Sequence, residues 1–154
     1  KTRTMQRTSV CLWFDDQGLE AAKMYVGLIP DSKIITVNEA GGKVMTVLFS
    51  LGGIEYLALN GGPHYKHSPA ASIMVYCDDQ DEVDRLWAAL TEGGAESRCG
   101  WLTDKFGLSW QIIPKGFVEM MKSSDKAAIG RAFQAMMTMV KLHLPTLQKA
   151  FDGN

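Results

Sequence analysis

The strongest constraint on this chain is that it repeats its own opening. SVCLWFDDQ at Ser9–Gln17 and SIMVYCDDQ at Ser72–Gln80 align without a gap: Ser on Ser, Val10 on Ile73, Leu12 on Val75, Trp13 on Tyr76, and DDQ on DDQ. A duplicated opening means that the fold of one copy constrains the fold of the other. Each copy is followed by apolar residues at helical spacing, Leu19, Ala22, Met24, Tyr25 and Leu28 in the first and Val83, Leu86, Trp87 and Leu90 in the second. Asp15 and Asp16, like Asp78, Asp79 and Asp81, are expected to cap these helices, and Gly93 with Gly94 to end the second.

The segments after the two helices are also alike. SKIITVNEA, VMTVLFSL and IEYLALN are rich in β-branched and aromatic residues and are separated by the Gly pairs 41–42 and 52–53, so they read as strands joined by hairpins. The second half offers a short strand near Ala95 to Trp101, a turn at Gly107 and a strand Leu108 to Ile113. The expected class is therefore α+β, two βαβββ modules at 9–60 and 72–114, within one domain spanning 1–154. The Gly/Pro-rich segment 61–71 links the modules, and 115–154 forms a C-terminal helical tail. In that tail Ile129, Ala132, Phe133, Met136 and Val140 predict one amphipathic helix from Ser124 to Leu144. Pro145 is expected to kink or end it before a last turn around Leu147 to Phe151.

Sixteen basic against seventeen acidic residues leave a formal charge of -1, without the basic footprint of a nucleic-acid binder. No apolar run is long enough to cross a bilayer as a helix, and KTRTMQRTSV lacks the apolar segment of a secretory signal. The expectation is a cytoplasmic protein with neither a nucleic-acid nor a membrane partner. Cys11, Cys77 and Cys99 are odd in number and widely spaced, which fits reduced thiols better than a disulfide framework; the absence of a CxxC pair gives no support to structural zinc.

Together the paired modules, the opening CLWFDDQGLEAAKMY, the linking LALNGGP and the closing DKFGLSWQIIP resemble the PhnB-like branch of the vicinal oxygen chelate superfamily. This is the glyoxalase, bleomycin-resistance and dioxygenase group, and the branch carries the label 3-demethylubiquinone 3-methyltransferase-like. The resemblance, taken to include the tail from about Ser124, implies a curled mixed sheet around a cup, helices outside, and a homodimer. It also implies four metal-ligand positions, one on the first strand and one near the last strand of each module.

Placed on this sequence by the repeat register and the closing D-x-F-G-x-x-W-Q, those positions are Ser9, Leu57, Ser72 and Gln111. Hydroxyl, amide and alkyl groups lack the charge or basicity that holds zinc, nickel or iron, so no metal and no cofactor is expected. Glu55 shares a face with Leu57 and either enters the cup or faces solvent from its hairpin. His64 and His67 have H-x-x-H spacing, but Pro63 and Pro69 place them in a loop. Strand alternation puts Cys11, Trp13, Leu57, Leu59, Ser72, Met74, Tyr76, Ser109, Gln111 and Ile113 on the cup face. These side chains either line a pocket for a hydrophobic or aromatic small molecule, with Trp13 and Tyr76 stacking it and Gln111 hydrogen-bonding it, or they fill a small core.

No catalytic constellation is visible. Cys11 and Cys77 have no evident His partner, a Cys11–His64 pairing needs the linker to fold back, and no Gly-rich strand-to-helix loop serves a nucleotide-containing cofactor. Three readings stay open: a metal-free small-molecule binder, an enzyme of the lyase, oxidoreductase or methyltransferase kinds that the resemblance suggests, and a non-catalytic dimer whose Met-rich tail serves assembly.

Overall fold

Two-residue turns set the first sheet. In the computed structural model, which describes residues 5–154, Val10–Phe14 forms β1, Gly18–Leu28 α1, Lys33–Ala40 β2, Lys43–Leu51 β3 and Ile54–Asn60 β4. Gly41–Gly42 and Gly52–Gly53 all have positive φ, the backbone of a tight turn whose twist matches that of the strands it joins. They leave Ala40 facing Lys43 and Leu51 facing Ile54 in antiparallel pairs. α1 carries the chain across so that β1 lies parallel to β4, giving the order β1-β4-β3-β2. β2 is outermost, and its pairing with β3 slips twice, between Ile34 and Thr36 and between Asn38 and Glu39.

One face of this sheet is buried against α1. Leu12, Phe14, Val47, Phe49 and Ala58 point that way and are closed over by Ala21, Ala22 and Tyr25, with the Tyr25 and Phe49 rings 6.4 Å apart. Each large apolar side chain so buried contributes roughly 1.5–3 kcal/mol. The expected capping by Asp15 or Asp16 is not what holds α1. Gln17 occupies the cap position without a side-chain bond, and Asn60 Oδ1, from the end of β4, accepts from the Gly18 N–H at 2.8 Å.

The second unit repeats the plan. β5 is Ser72–Cys77, α2 Gln80–Thr91, β6 Ala95–Glu96, β7 Trp101–Thr103 and β8 Ser109–Pro114, in the order β5-β8-β7-β6, with β5 and β8 parallel. Here the capping expectation holds: Asp79 Oδ1 accepts from Glu82 N at 2.9 Å, and Glu82 Oε1 accepts from Asp78 N at 3.0 Å. The turn before β8 is built by a buried carboxylate. Asp104 Oδ1 accepts from the N–H groups of Phe106 and Leu108, and Oδ2 from the Trp110 indole at 2.8 Å. Val75, Cys77, Val83, Leu86, Leu90, Leu102, Trp110 and Ile112 form the buried core.

The tail differs from the single long helix expected. It consists of α3 (Lys115–Met121), α4 (Lys126–Met136) and α5 (Leu144–Asp152). Asp125, not Ser124, caps α4, its Oδ1 accepting from Ala128 N at 3.0 Å. Beyond Met136 the chain turns to tertiary partners: the carbonyls of Met137, Met139 and Val140 accept from Arg98, Cys99 and Gly100. Pro145 begins α5 rather than ending a helix, because in a first turn its missing N–H has no intrahelical partner to lose. Phe117, Met120, Ala132, Leu142 and Leu147 form the tail's own core. Gln80 ties it to α2 through Leu142 O and Leu144 N.

The chain divides into compact units, one ending at His67 and the other beginning at Ser68. Among the described residues no helix is long and apolar enough to cross a membrane.

Candidate functional site

Alternation decides what each sheet presents away from its helix. In the first unit Cys11 pairs with Leu57 and Trp13 with Leu59, all on the face opposite Leu12, Phe14 and Ala58. In the second unit Ser72 pairs with Ser109, Met74 with Gln111 and Tyr76 with Ile113, opposite Val75, Cys77 and Trp110. The register that aligns Cys11 with Met74 also brings Leu57 into the place of Gln111, so the two sheets are equivalent strand for strand.

The linker folds back on β1 and determines the setting of Trp13. The indole N–H donates to Gly62 O at 2.9 Å, and Tyr65 meets the ring edge-on at 4.8 Å. A Cβ at Gly61 would lie 2.3 Å from the ring, so only glycine admits the indole there. His67 Nε2 lies 2.7 Å from Trp13 O, with its ring beside Phe14. His67 is thereby a packing residue of the strand end, and no hydrogen bond joins Cys11 to His64. Partial burial raises the Cys11 thiol above its ordinary pKa, which lowers its thiolate fraction.

Glu55 lies between the alternatives left by the sequence. It is half-buried opposite Ser50, its N–H donates to Gln6 Oε1 at 3.1 Å, and its carbonyl accepts from Ser9 Oγ at 3.3 Å. With Gln6, Asp31, Lys33 and Ser50 it lines an open cavity of about 610 Å³. That cavity was not anticipated, because it depends on Asp31 and Lys33 meeting the β3–β4 hairpin.

In the second unit Gln111 Nε2 donates to Ser72 Oγ at 3.0 Å, so the amide and the hydroxyl are each other's partners. Beside them Met74 and Tyr76 remain 44% and 49% exposed, and the Tyr76 hydroxyl lies 3.8 Å from the Met74 sulfur. Cys77 faces the core. Burial first, then Glu82, pushes its pKa up to about 12, against the opposing pull of Arg85. This thiol is a small apolar filler rather than a nucleophile. A second unanticipated cavity, of about 290 Å³, opens between Pro69, the 97–99 segment, Trp101, Thr103 and Ser109.

The metal-ligand positions that the fold family implies do not suit a metal in this chain. Ser9 Oγ is bonded to a backbone carbonyl, Leu57 has no donor atom, and Ser72 and Gln111 are bonded to each other. Among the described residues no group of three or more His, Cys, Asp or Glu side chains is placed to hold a metal ion.

Comparison with known proteins bears on the fold and the family. The family model for 3-demethylubiquinone-9 3-methyltransferase matches residues 6–113, so the match stops short of the tail that the sequence resemblance had included. No curated protein sequence matches. Among solved structures, a PhnB protein from Bacillus cereus is 26% identical with a TM-score of 0.67. It covers 71% of this chain and 99% of its own. A Pseudomonas aeruginosa protein, PA1353, gives 21% identity and a TM-score of 0.60 over 71% of this chain and 98% of its own. The fosfomycin resistance protein FosX of Listeria monocytogenes, complexed with Mn(II) and sulfate, shares the fold at 12% identity and a TM-score of 0.50, over 71% and 92%. With a family model matched across both βαβββ modules and a PhnB structure aligned over nearly its full length, this chain belongs to the 3-demethylubiquinone-9 3-methyltransferase-like (PhnB) family of the vicinal oxygen chelate fold.

Proposed function

We propose that the chain is a metal-free binder of a small hydrophobic or aromatic molecule, held on the sheet faces turned away from the helices. The observation that carries this reading is the exposure of Met74 and Tyr76 beside the Gln111–Ser72 pair. Large apolar side chains kept in contact with water around one polar pair mark a surface suited to interaction. A molecule bound only by the native state raises stability by about 2.7 kcal/mol at a hundredfold excess over its Kd, which a thermal-shift screen with aromatic compounds reads as several degrees. No shift across a broad aromatic library would overturn the reading. Stoichiometric zinc, nickel or manganese in untagged protein would instead move it to a metal-dependent activity.

A second reading has its own observation. On the tail, Phe133, Met137 and Val140 are 46%, 46% and 44% exposed, an apolar patch suited to a second copy. Sedimentation velocity separates the two: Phe133→Asp turns a dimer built on this patch into a monomer and leaves ligand-induced shifts unchanged.

A further inference from the structure

The smaller cavity of the second unit carries a more specific assignment, which rests on the binding reading above and names the chemistry of the ligand. Its floor is the face of the sheet opposite the core, where Thr103 pairs with Ser109 and Ser109 with Ser72. Ser109 is only 2% exposed, yet its hydroxyl makes no hydrogen bond to any described residue, and it borders the cavity. A hydroxyl without a protein partner takes one from water or from a ligand, because leaving it unsatisfied costs what desolvation takes from it. Its oxygen is not sealed in by protein, so its partner enters through the cavity.

The wall is segment 97–99, held in an unusual backbone. Cys99 has φ 59°, uncommon for a residue with a Cβ, and keeps it because its N–H donates to Met139 O at 2.9 Å while the Gly100 N–H donates to Val140 O at 2.8 Å. The tail thus fixes the wall from outside, and it lies beyond the matched residues 6–113. Arg98 sits at the rim. One guanidinium nitrogen donates to Met137 O at 3.1 Å, and among the described residues Arg98 forms no ion pair. No carboxylate lines the cavity, and Pro69, Trp101 and Leu102 supply apolar walls.

We propose that this cavity takes a fragment-sized molecule with an apolar body and one carboxylate, the carboxylate binding Arg98 at the rim and the Ser109 hydroxyl at the floor. A guanidinium without an acidic partner selects an anion, and charge-assisted bonds of this kind are the strong ones. A volume of about 290 Å³ stands at the lower end for ligand pockets, which limits the body to about one ring.

The test titrates the full chain with benzoate, followed by amide NMR, with benzyl alcohol as the neutral counterpart. Saturable shifts are expected at Cys99, Thr103 and Ser109, with a Kd on the order of 1 mM and binding of benzyl alcohol about tenfold weaker. Arg98→Gln should weaken benzoate about tenfold and Arg98→Lys should restore part of the loss. Ser109→Ala, which removes only an unpartnered oxygen, should weaken it severalfold and preserve the fold. Benzoate should also slow iodoacetamide capture of Cys99. Absence of saturable shifts, shifts confined to other residues, or unchanged affinity in both Arg98→Gln and Ser109→Ala overturns the assignment. If neutral aromatics stabilise the protein while benzoate does nothing, the binding reading survives and this one falls.

Discussion

The two cavities occupy the same place in the repeated fold and are lined by opposite chemistry. The strand registers put Gln6 in the place of Pro69, Ser50 in that of Thr103 and Glu55 in that of Ser109. In the first unit the space is bordered by Asp31 and Glu55 with Lys33; in the second the carboxylates are gone and Arg98 stands at the rim. Duplication therefore preserved the backbone pairing while the linings diverged. The turns diverged too. A Gly pair suffices between β3 and β4, whereas the turn before β8 is built on Asp104.

That difference predicts an asymmetric response to mutation. Asp104→Ala leaves the Trp110 indole and two backbone N–H groups without their acceptor in a buried setting, a loss of about 3 kcal/mol in urea unfolding. A loss below about 1 kcal/mol would mean that the turn is held by its backbone alone, as in the first unit.

The thiols sharpen the contrast between exposed and core faces. Folded Cys77 keeps its proton where the unfolded thiol, with an ordinary value of 9.0, has lost it. The native state thus binds more protons between pH 9 and about 12, and stability falls as pH rises through that window, by at most about 1.4 kcal/mol per pH unit. Denaturation at pH 8 and pH 10 should show the fall, and Cys77→Ala should flatten it. Cys11, exposed, should be alkylated in the native protein at pH 8 while Cys77 reacts only on unfolding.

The caps give the smallest effect. Asn60→Ala and Asp79→Ala should each cost about 1 kcal/mol in thermal unfolding, although one cap comes from the end of β4 and the other from the residue beside its helix. A negligible Asn60 effect would show that α1 is held by Ala21, Ala22 and Tyr25 alone.

Local signals in the chain carried most of the architecture. The two modules, their helices and the equivalence of their strands could be read from the repeat and the Gly pairs, whereas the strand order and the parallel pairing of each module's first and last strands emerged only in the structure. Asn60 could not be found as a cap because its role depends on β4 ending beside α1, far away in sequence. The long tail helix failed for a related reason. Its apolar periodicity continues past Met136, but carbonyls there are claimed by Arg98, Cys99 and Gly100, and tertiary bonds prevailed over local propensity. On the sheet faces, alternation alone was enough to put Leu57, Ser72 and Gln111 on the side away from the helices. The immobilised Trp13 and the two cavities were not legible, because they depend on loops such as 61–67 and 97–99.

The twice-slipped pairing of β2 bears on how this protein behaves when crowded. An eight-residue outer strand with free hydrogen-bonding groups would invite neighbouring molecules to add strands indefinitely. The irregularities at Ile34–Thr36 and Asn38–Glu39 break the even spacing that such addition requires, and Lys33 and Glu39 place charge along the rim. Removing Ile35 would take away one of these two breaks and leave the border guarded by the slip at Asn38–Glu39 and by the two charges.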